Sequence, residues 1–514
     1  IGTLHPSNPH TFSINIHFLS MHTSLFMIAT LAIYFLILLY ISQRSLRKGG
    51  RGNNAFFRAG RQSSWWMVAI GMIGASISGV TFISVPGWAQ TTGMTYLQMC
   101  MGFIVGYVVV AFVLLPLYYK LRLTSIYAYL GTRFGRDSHR TGAIFFVLSK
   151  LTGAAARLYL VCFVISQFVV RPLWGDGTLP FVVTTLCVLC LIWFYTCRSG
   201  IQAVVRTDVL QTFCLILAAL GILFIAAHRM HLDIASLWTT ITDSPMCHLW
   251  EWDASSKQAF WRQFLSGVFI VIVMTGLDQD MMQKNLTCRN LREAQKDMCL
   301  YGLAFLPVNA LFLALGILLY TFCTWQGLTP PSAGDDLLPW LVSSGALGEW
   351  IIVPFTIGIV AAAFSSADSA MTALTTSICI DLLGMDEQHE QNATSLRIRR
   401  WVHIGVVATT ALCIVLFKVV GNDNVLNAIY VMASYTYGPL LGLYAFGLFS
   451  QWQVHDRVIP FICIASPIIC GLLDHYAPVW WGYNFGYELL LLIGAITFLG
   501  CWAARTQKNT APRG

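Results

Sequence analysis

Apolar runs of about 20 residues or more recur along nearly the whole chain, each the length that carries a helix through ~30 Å of hydrocarbon at ~1.5 Å per residue. Thirteen are read, at about 24–43, 64–90, 95–119, 142–172, 178–197, 203–228, 260–281, 297–324, 346–382, 399–419, 425–450, 458–475 and 486–504. Composition agrees: only 11% of the residues are charged, against roughly 25% in a soluble domain. The expected fold class is an all-α membrane protein with about 13 transmembrane helices, residues 21–514 forming a single domain in the bilayer. The polar stretch 1–20 is expected to be a non-native or disordered extension. It lacks the basic start and small-residue cleavage site of a leader, and Met21 is read as the native start.

Net charge is +8, and its distribution argues against a nucleic-acid partner. Arg44, Arg47, Lys48, Arg51, Arg58 and Arg61 follow the first run. Lys120, Arg122, Arg133, Arg136 and Arg140 follow the third, Lys284, Arg289, Arg292 and Lys296 the seventh, and Arg397, Arg399 and Arg400 the ninth. Basic residues gathered in alternate loops mark the cytoplasmic face. They predict an N-terminus outside, a C-terminus inside, and a multi-pass location in the cell (inner) membrane, with a monomer as the working unit. The fifteen cysteines lie mainly in apolar runs without zinc-type spacing and read as packing residues.

Two runs carry polar groups where hydrocarbon penalises them. In Ala361–Ser369, Ala362, Ser365 and Ser366 stand at i, i+3 and i+4 on one helix face. Oxygens so placed suit a small hard cation; serines bonded back to their own helix are the plain alternative. In Gly71–Phe82, Gly and Ser at mid-membrane loosen the helical ladder and free carbonyls. Freed carbonyls are tolerable where they line a cavity or bind an ion, and a small-residue packing face is the alternative.

Six segments in order resemble the sodium:solute symporter family, whose members carry sugars, iodide, proline and sialic acid. They are Gly74–Ile83, Leu123–Gly135, Ala203–Gln211, Gly276–Lys284, Ala361–Ser369 and Tyr437–Tyr444. The resemblance implies a leucine-transporter-type fold. Its inverted five-helix repeats would cover about 64–228 and 260–450, and trailing helices 458–504. It also implies a sodium site made by carbonyls of Gly74, Ile77 and Ala362 with the hydroxyls of Ser365 and Ser366. Asp208, Ser365, Asp368 and Ser369 match positions of a second cation site. There the Asp at 368 replaces a hydroxyl and leaves three alternatives: a second sodium, a proton, or a pair with Lys150 or Arg157. Ser78 and Thr81 match hydroxyls that hold a carboxylated solute such as sialic acid. Arg157 lies about one turn from the matching arginine, and Gln98 is a further polar candidate.

Arg157 sits too deep to reach the interface and needs an anion, either the solute or Asp208 or Asp368. Asp278–Lys284 falls at the inner end of the seventh run and reads as a solvated gate or loop helix. The expected function is sodium-coupled import of a small organic solute, with sodium as coupling ion and the lipid bilayer as surroundings. A sugar, polyol or monocarboxylate carrier is the alternative. A channel would need a repeated pore loop, and a transporter-derived sensor an appended soluble domain. A membrane enzyme is not expected, since no metalloprotease, nucleophile-elbow or phosphate-loop motif is present.

Overall fold

The computed structural model describes residues 21–49, 53–171, 175, 177–197, 200–385, 393–420, 425–483, 485, 486 and 488–506. The extension 1–20 lies outside the described residues. Helices make up most of the described residues, the principal ones in the order α1 (Met21–Gly49), α2 (Trp65–Ser76), α3 (Gly79–Thr92), α4 (Tyr96–Val109, running on to Lys120) and α5 (Arg136–Ile165). Then come α6 (Thr178–Thr196), α7 (Ile201–Arg229), α8 (Phe260–Val271, running on to Gly276), α9 (Gln279–Asn285) and α10 (Leu291–Trp325). The last five are α11 (Ile352–Ser377), α12 (Ala393–Val420), α13 (Val425–Phe449), α14 (Ile459–Trp481) and α15 (Leu489–Ala503).

Among the described residues nine helices are long and apolar enough to cross a membrane, and two bent pairs raise the number to 11. The two other expected runs fall on α13 and on the shorter apolar α15. The second run is broken, as its Gly and Ser content predicts: α2 and α3 meet at 61°. The seventh is broken as well, α8 and α9 meeting at 70°. That break lies in a stretch expected to be continuous, because Val271-Ile272-Val273-Met274 before it is apolar throughout.

At the first break Ile77 and Ser78 leave the helical region (ψ 87° and 170°). The Ser78 N–H donates to Ser76 O at 3.1 Å, and the Thr81 N–H to Ser78 Oγ at 3.4 Å. Those two N–H groups would otherwise serve Gly74 O and Ile77 O in a continuous helix, so both carbonyls lose their helical partners. The second break is built differently. Tyr118 and Tyr127 donate their hydroxyls to Gly276 O and Leu277 O, each at 2.9 Å. Its free carbonyls are thus met by the protein's own side chains.

The motif Leu123–Gly135 forms the floor under that second break. Gln279 Oε1 accepts from Ile126 N at 2.9 Å while its Nε2 donates to Thr124 O at 3.0 Å. Arg133 donates to the Gly447 and Ser450 carbonyls at 3.1 and 2.7 Å, neutralising the negative end of α13. Asp456 accepts from Asp137 N and Ser138 N at 2.8 Å each, the matching cap for the start of α5. Helix α11 packs on both α2 and α3, and on α7. Close approach of α2 to α7 needs glycine: a Cβ on Gly74 would stand 2.1 Å from Thr212 Oγ1, and one on Gly71 2.9 Å from Asp208 Cβ.

Candidate ion and solute site

Helix α11 is buried along its length, with Ser365, Asp368 and Ser369 at 0% exposure and Ser366 at 4%. It packs against α2 and α3, the broken element whose Gly74 and Ile77 carbonyls are freed. Ser365 Oγ donates to Asp208 Oδ1 at 2.7 Å, which leaves its lone pairs for a cation. Ser369 follows the plain alternative in part, donating to Ser365 O at 2.8 Å. Asp368 Oδ2 accepts from Tyr195 OH at 2.8 Å.

The basic partner of Asp208 is one that the sequence alternatives did not include. It is neither Lys150 nor Arg157 but Lys284, whose Nζ lies 2.7 Å from Asp208 Oδ2 with 1% of its side chain exposed. The 70° bend turns α9 into the protein interior, so Asp278, Gln279, Asp280, Gln283, Lys284 and Asn285 are all buried. A solvated gate is therefore the wrong description of this segment. The available signal was the charge itself: ionisable residues inside an apolar run are costly and mark function by default.

A cavity of about 250 Å³ opens beside the first break. From α5 it is lined by Ser149, Lys150, Gly153, Ala154 and Arg157, one face of that helix. Ser76, Ser78 and Thr81 contribute hydroxyls from the break, and Asp278 and Asp280 carboxylates from α9. Trp88, Tyr96, Phe103, Tyr107 and Phe305 supply the apolar wall. Lys150 Nζ holds Asp280 Oδ2 at 2.7 Å and Asp278 Oδ2 at 3.1 Å, and Tyr437 OH donates to Asp278 Oδ2 at 2.5 Å. Tyr107 donates to Tyr301 at 2.7 Å, and Tyr301 also meets Ser76.

Ser78, Thr81 and Arg157 therefore come together as expected, and Arg157 has no carboxylate partner among the described residues. Gln98 does not join them. Its amide donates to Thr95 O and Gln258 O at 3.2 and 3.0 Å, and its oxygen accepts from Glu251 N at 3.2 Å. The loop between α7 and α8 consumes that side chain, which is why a buried glutamine here is an anchor rather than a solute contact.

The profile of the sodium:solute symporter family matches residues 56–454. The human sodium/iodide cotransporter is 25% identical over 419 residues, 78% of this chain and 62% of that protein, so the chain spans less than two thirds of its length. The human sodium-coupled monocarboxylate transporter 1 is 24% identical over 442 residues (84% and 68% of the two chains). The sodium/sialic acid symporter NanT of Aliivibrio fischeri is 26% identical over 415 (77% and 77%). Among solved structures, a Na+-coupled sialic acid symporter in a substrate-bound outward-open state superimposes with a TM-score of 0.75 at 20% identity, over 96% of this chain and 100% of that one. A nucleobase-cation-symport-1 family transporter in a closed conformation gives 0.56 at 13%, over 88% and 94%. The fold is the leucine-transporter type, and the chain belongs to the sodium:solute symporter family.

Proposed function

We propose that the protein is a sodium-coupled secondary transporter that imports a small carboxylated solute by alternating access. The observation that carries this reading is the pair of freed carbonyls at Gly74 and Ile77, set against the serine face of α11 and beside a cavity that holds Arg157. Sodium takes Gly74, Ile77 and Ala362 carbonyls with the Ser365 and Ser366 hydroxyls. The solute carboxylate takes Arg157, with Ser78 and Thr81 as donors. Because α2 and α3 serve both ligands, sodium binding fixes the break and completes the solute site. The family names among its relatives, sialic acid, monocarboxylate and iodide, are all anions and agree with a cationic side chain in the cavity.

The second cation position, lined by Asp208, Ser365, Asp368 and Ser369, is occupied by the protein's own ammonium at Lys284. The chain lies in the inner membrane with thirteen spans when α13 and α15 are counted, N-terminus outside, and works as a monomer. The inverted repeats cover about 64–228 and 260–450, a division that the two bent pairs at corresponding places support.

Proteoliposomes test the reading. Uptake of a labelled carboxylate should require an inward sodium gradient, and Arg157→Ala should weaken it at least about thirtyfold, the loss expected for truncating a buried charge-assisted pair. Uptake that persists without sodium, or a neutral sugar carried as well as any acid, overturns it.

A further inference from the structure

Asp280 lines the cavity and carries a buried carboxylate oxygen that no hydrogen bond among the described residues satisfies. Asp280 is 4% exposed. Its Oδ2 is 2.7 Å from Lys150 Nζ, while its Oδ1 is buried without a hydrogen-bond partner. Asp278 beside it is saturated. It accepts from Lys150 at 3.1 and 3.3 Å, from Tyr437 OH at 2.5 Å, and from Asp280 N and Met281 N at 2.8 and 3.3 Å.

Charge gives the same answer as hydrogen bonding. One lysine faces two carboxylates in this group, which leaves a negative charge at the cavity wall. Lys284 and Asp208 are near enough to act on Asp280 electrostatically, but they are engaged with one another at 2.7 Å. Arg157 stands on the same face of α5 as Lys150, seven residues or about 10 Å along the helix. Its positive charge has no carboxylate among the described residues. The cavity therefore holds an unmet cation at Arg157 and an unmet anion at Asp280, and aromatic side chains line it as well.

We propose that the transported solute is a zwitterion, its carboxylate on Arg157 and its ammonium on Asp280 Oδ1, and that Asp280 selects for the ammonium. The inference rests on the reading of Arg157 as the carboxylate's counter-ion. A neutral polyol would meet neither charge, and a monocarboxylate would leave Asp280 as it is.

The test compares butyrate, 2-aminobutyrate and 4-aminobutyrate, then hexanoate and 6-aminohexanoate, in sodium-driven uptake by the full chain in proteoliposomes. At least one amino acid should be preferred over its parent acid by about tenfold or more, the scale of a hydrogen bond to a charged group. Asp280→Asn should bring that ratio near one by weakening the amino acid about tenfold more than the parent acid. Acetylating the amine of the preferred compound should do the same in the wild-type protein, which covers the case of a variant that does not fold. Parent acids bound as well as every amino derivative, or a preference that survives Asp280→Asn, would overturn the proposal. So would an Asp280→Asn variant that needs more sodium with the ratio unchanged, since Asp280 would then serve the ion. Failure of the underlying reading looks different: Arg157→Ala would leave acids and amino acids alike unaffected.

Discussion

Ser365 and Ser366 differ in what surrounds them, and their alanine variants should differ too. Ser365 supports Asp208 through a 2.7 Å hydrogen bond, so Ser365→Ala removes a sodium ligand and also costs about 1–3 kcal/mol of stability. Ser366 makes no side-chain hydrogen bond among the described residues, and Ser366→Ala should abolish sodium-coupled uptake with the melting temperature nearly unchanged. Sodium-dependent uptake and a thermal melt on the same preparations separate the two; wild-type sodium affinity in either variant removes the proposed site. Gln98 makes the opposite forecast. Two of its three bonds tie the loop at Glu251–Gln258 to α4, so Gln98→Ala should lower stability by about 1–3 kcal/mol and leave the solute KM unchanged. At this scale the serine face was legible in the sequence because i, i+3 and i+4 spacing is a local property of one helix. The Lys284–Asp208 pair joins residues 76 positions apart and depends on a bend that no local pattern measures. Gln98 misled because burial was foreseeable and its loop partners were not.

The two broken helices show what element-level reading can and cannot reach. Four glycines and three serines in or beside Gly71–Pro86 announced the first break, since such residues weaken a helix by their backbone freedom and local hydrogen bonding. Around the second, β-branched and apolar residues continue to Thr275, and only Gly276 and the capping Asp278 hint at an interruption. Tertiary partners, the Tyr118 and Tyr127 hydroxyls and Gln279 across to Ile126, hold it open. The contact between α2 and α7 can be tested directly. Gly74→Ala would place a methyl 2.1 Å from Thr212 Oγ1, and overpacking of this kind costs about 1–3 kcal/mol. Adding Thr212→Ala should recover part of that loss, because the hydroxyl is the nearest obstacle and the atoms an alanine keeps, Cβ and Cα, stand at 3.1 and 3.3 Å. Equal stability of Gly74→Ala and wild type would mean that α2 and α7 are less closely packed than described.

Across the whole molecule, length and hydropathy were enough for an all-α membrane protein, because membrane insertion makes them decisive, and the resemblance carried by six motifs in order implied the leucine-transporter type. The buried electrostatics were not, because they depend on which charges the fold brings together. Asp208, Asp368, Asp278 and Asp280 are buried with Lys284 and Lys150, and Arg157 lines the cavity half-buried. Counted as ionised, this set carries one excess negative charge, which a single sodium ion balances when the solute is neutral overall. Reversal potentials should then give one sodium per solute, raised to two in Lys284→Gln. One sodium crossing ~100 mV gains about 2.3 kcal/mol, and a tenfold gradient adds about 1.4 kcal/mol. Together these support roughly 500-fold accumulation, at about 1.4 kcal/mol per tenfold. Lys284 also sets a kinetic rule of its own. An ammonium carried on the chain is a competitor that dilution cannot remove, with an effective concentration in the millimolar range or above for so short a tether. External sodium would have to outcompete this built-in rival to reach Asp208, so the lysine sets a fixed threshold against adventitious monovalent ions. Its loss should make the transporter bind sodium more tightly and choose among alkali cations less strictly.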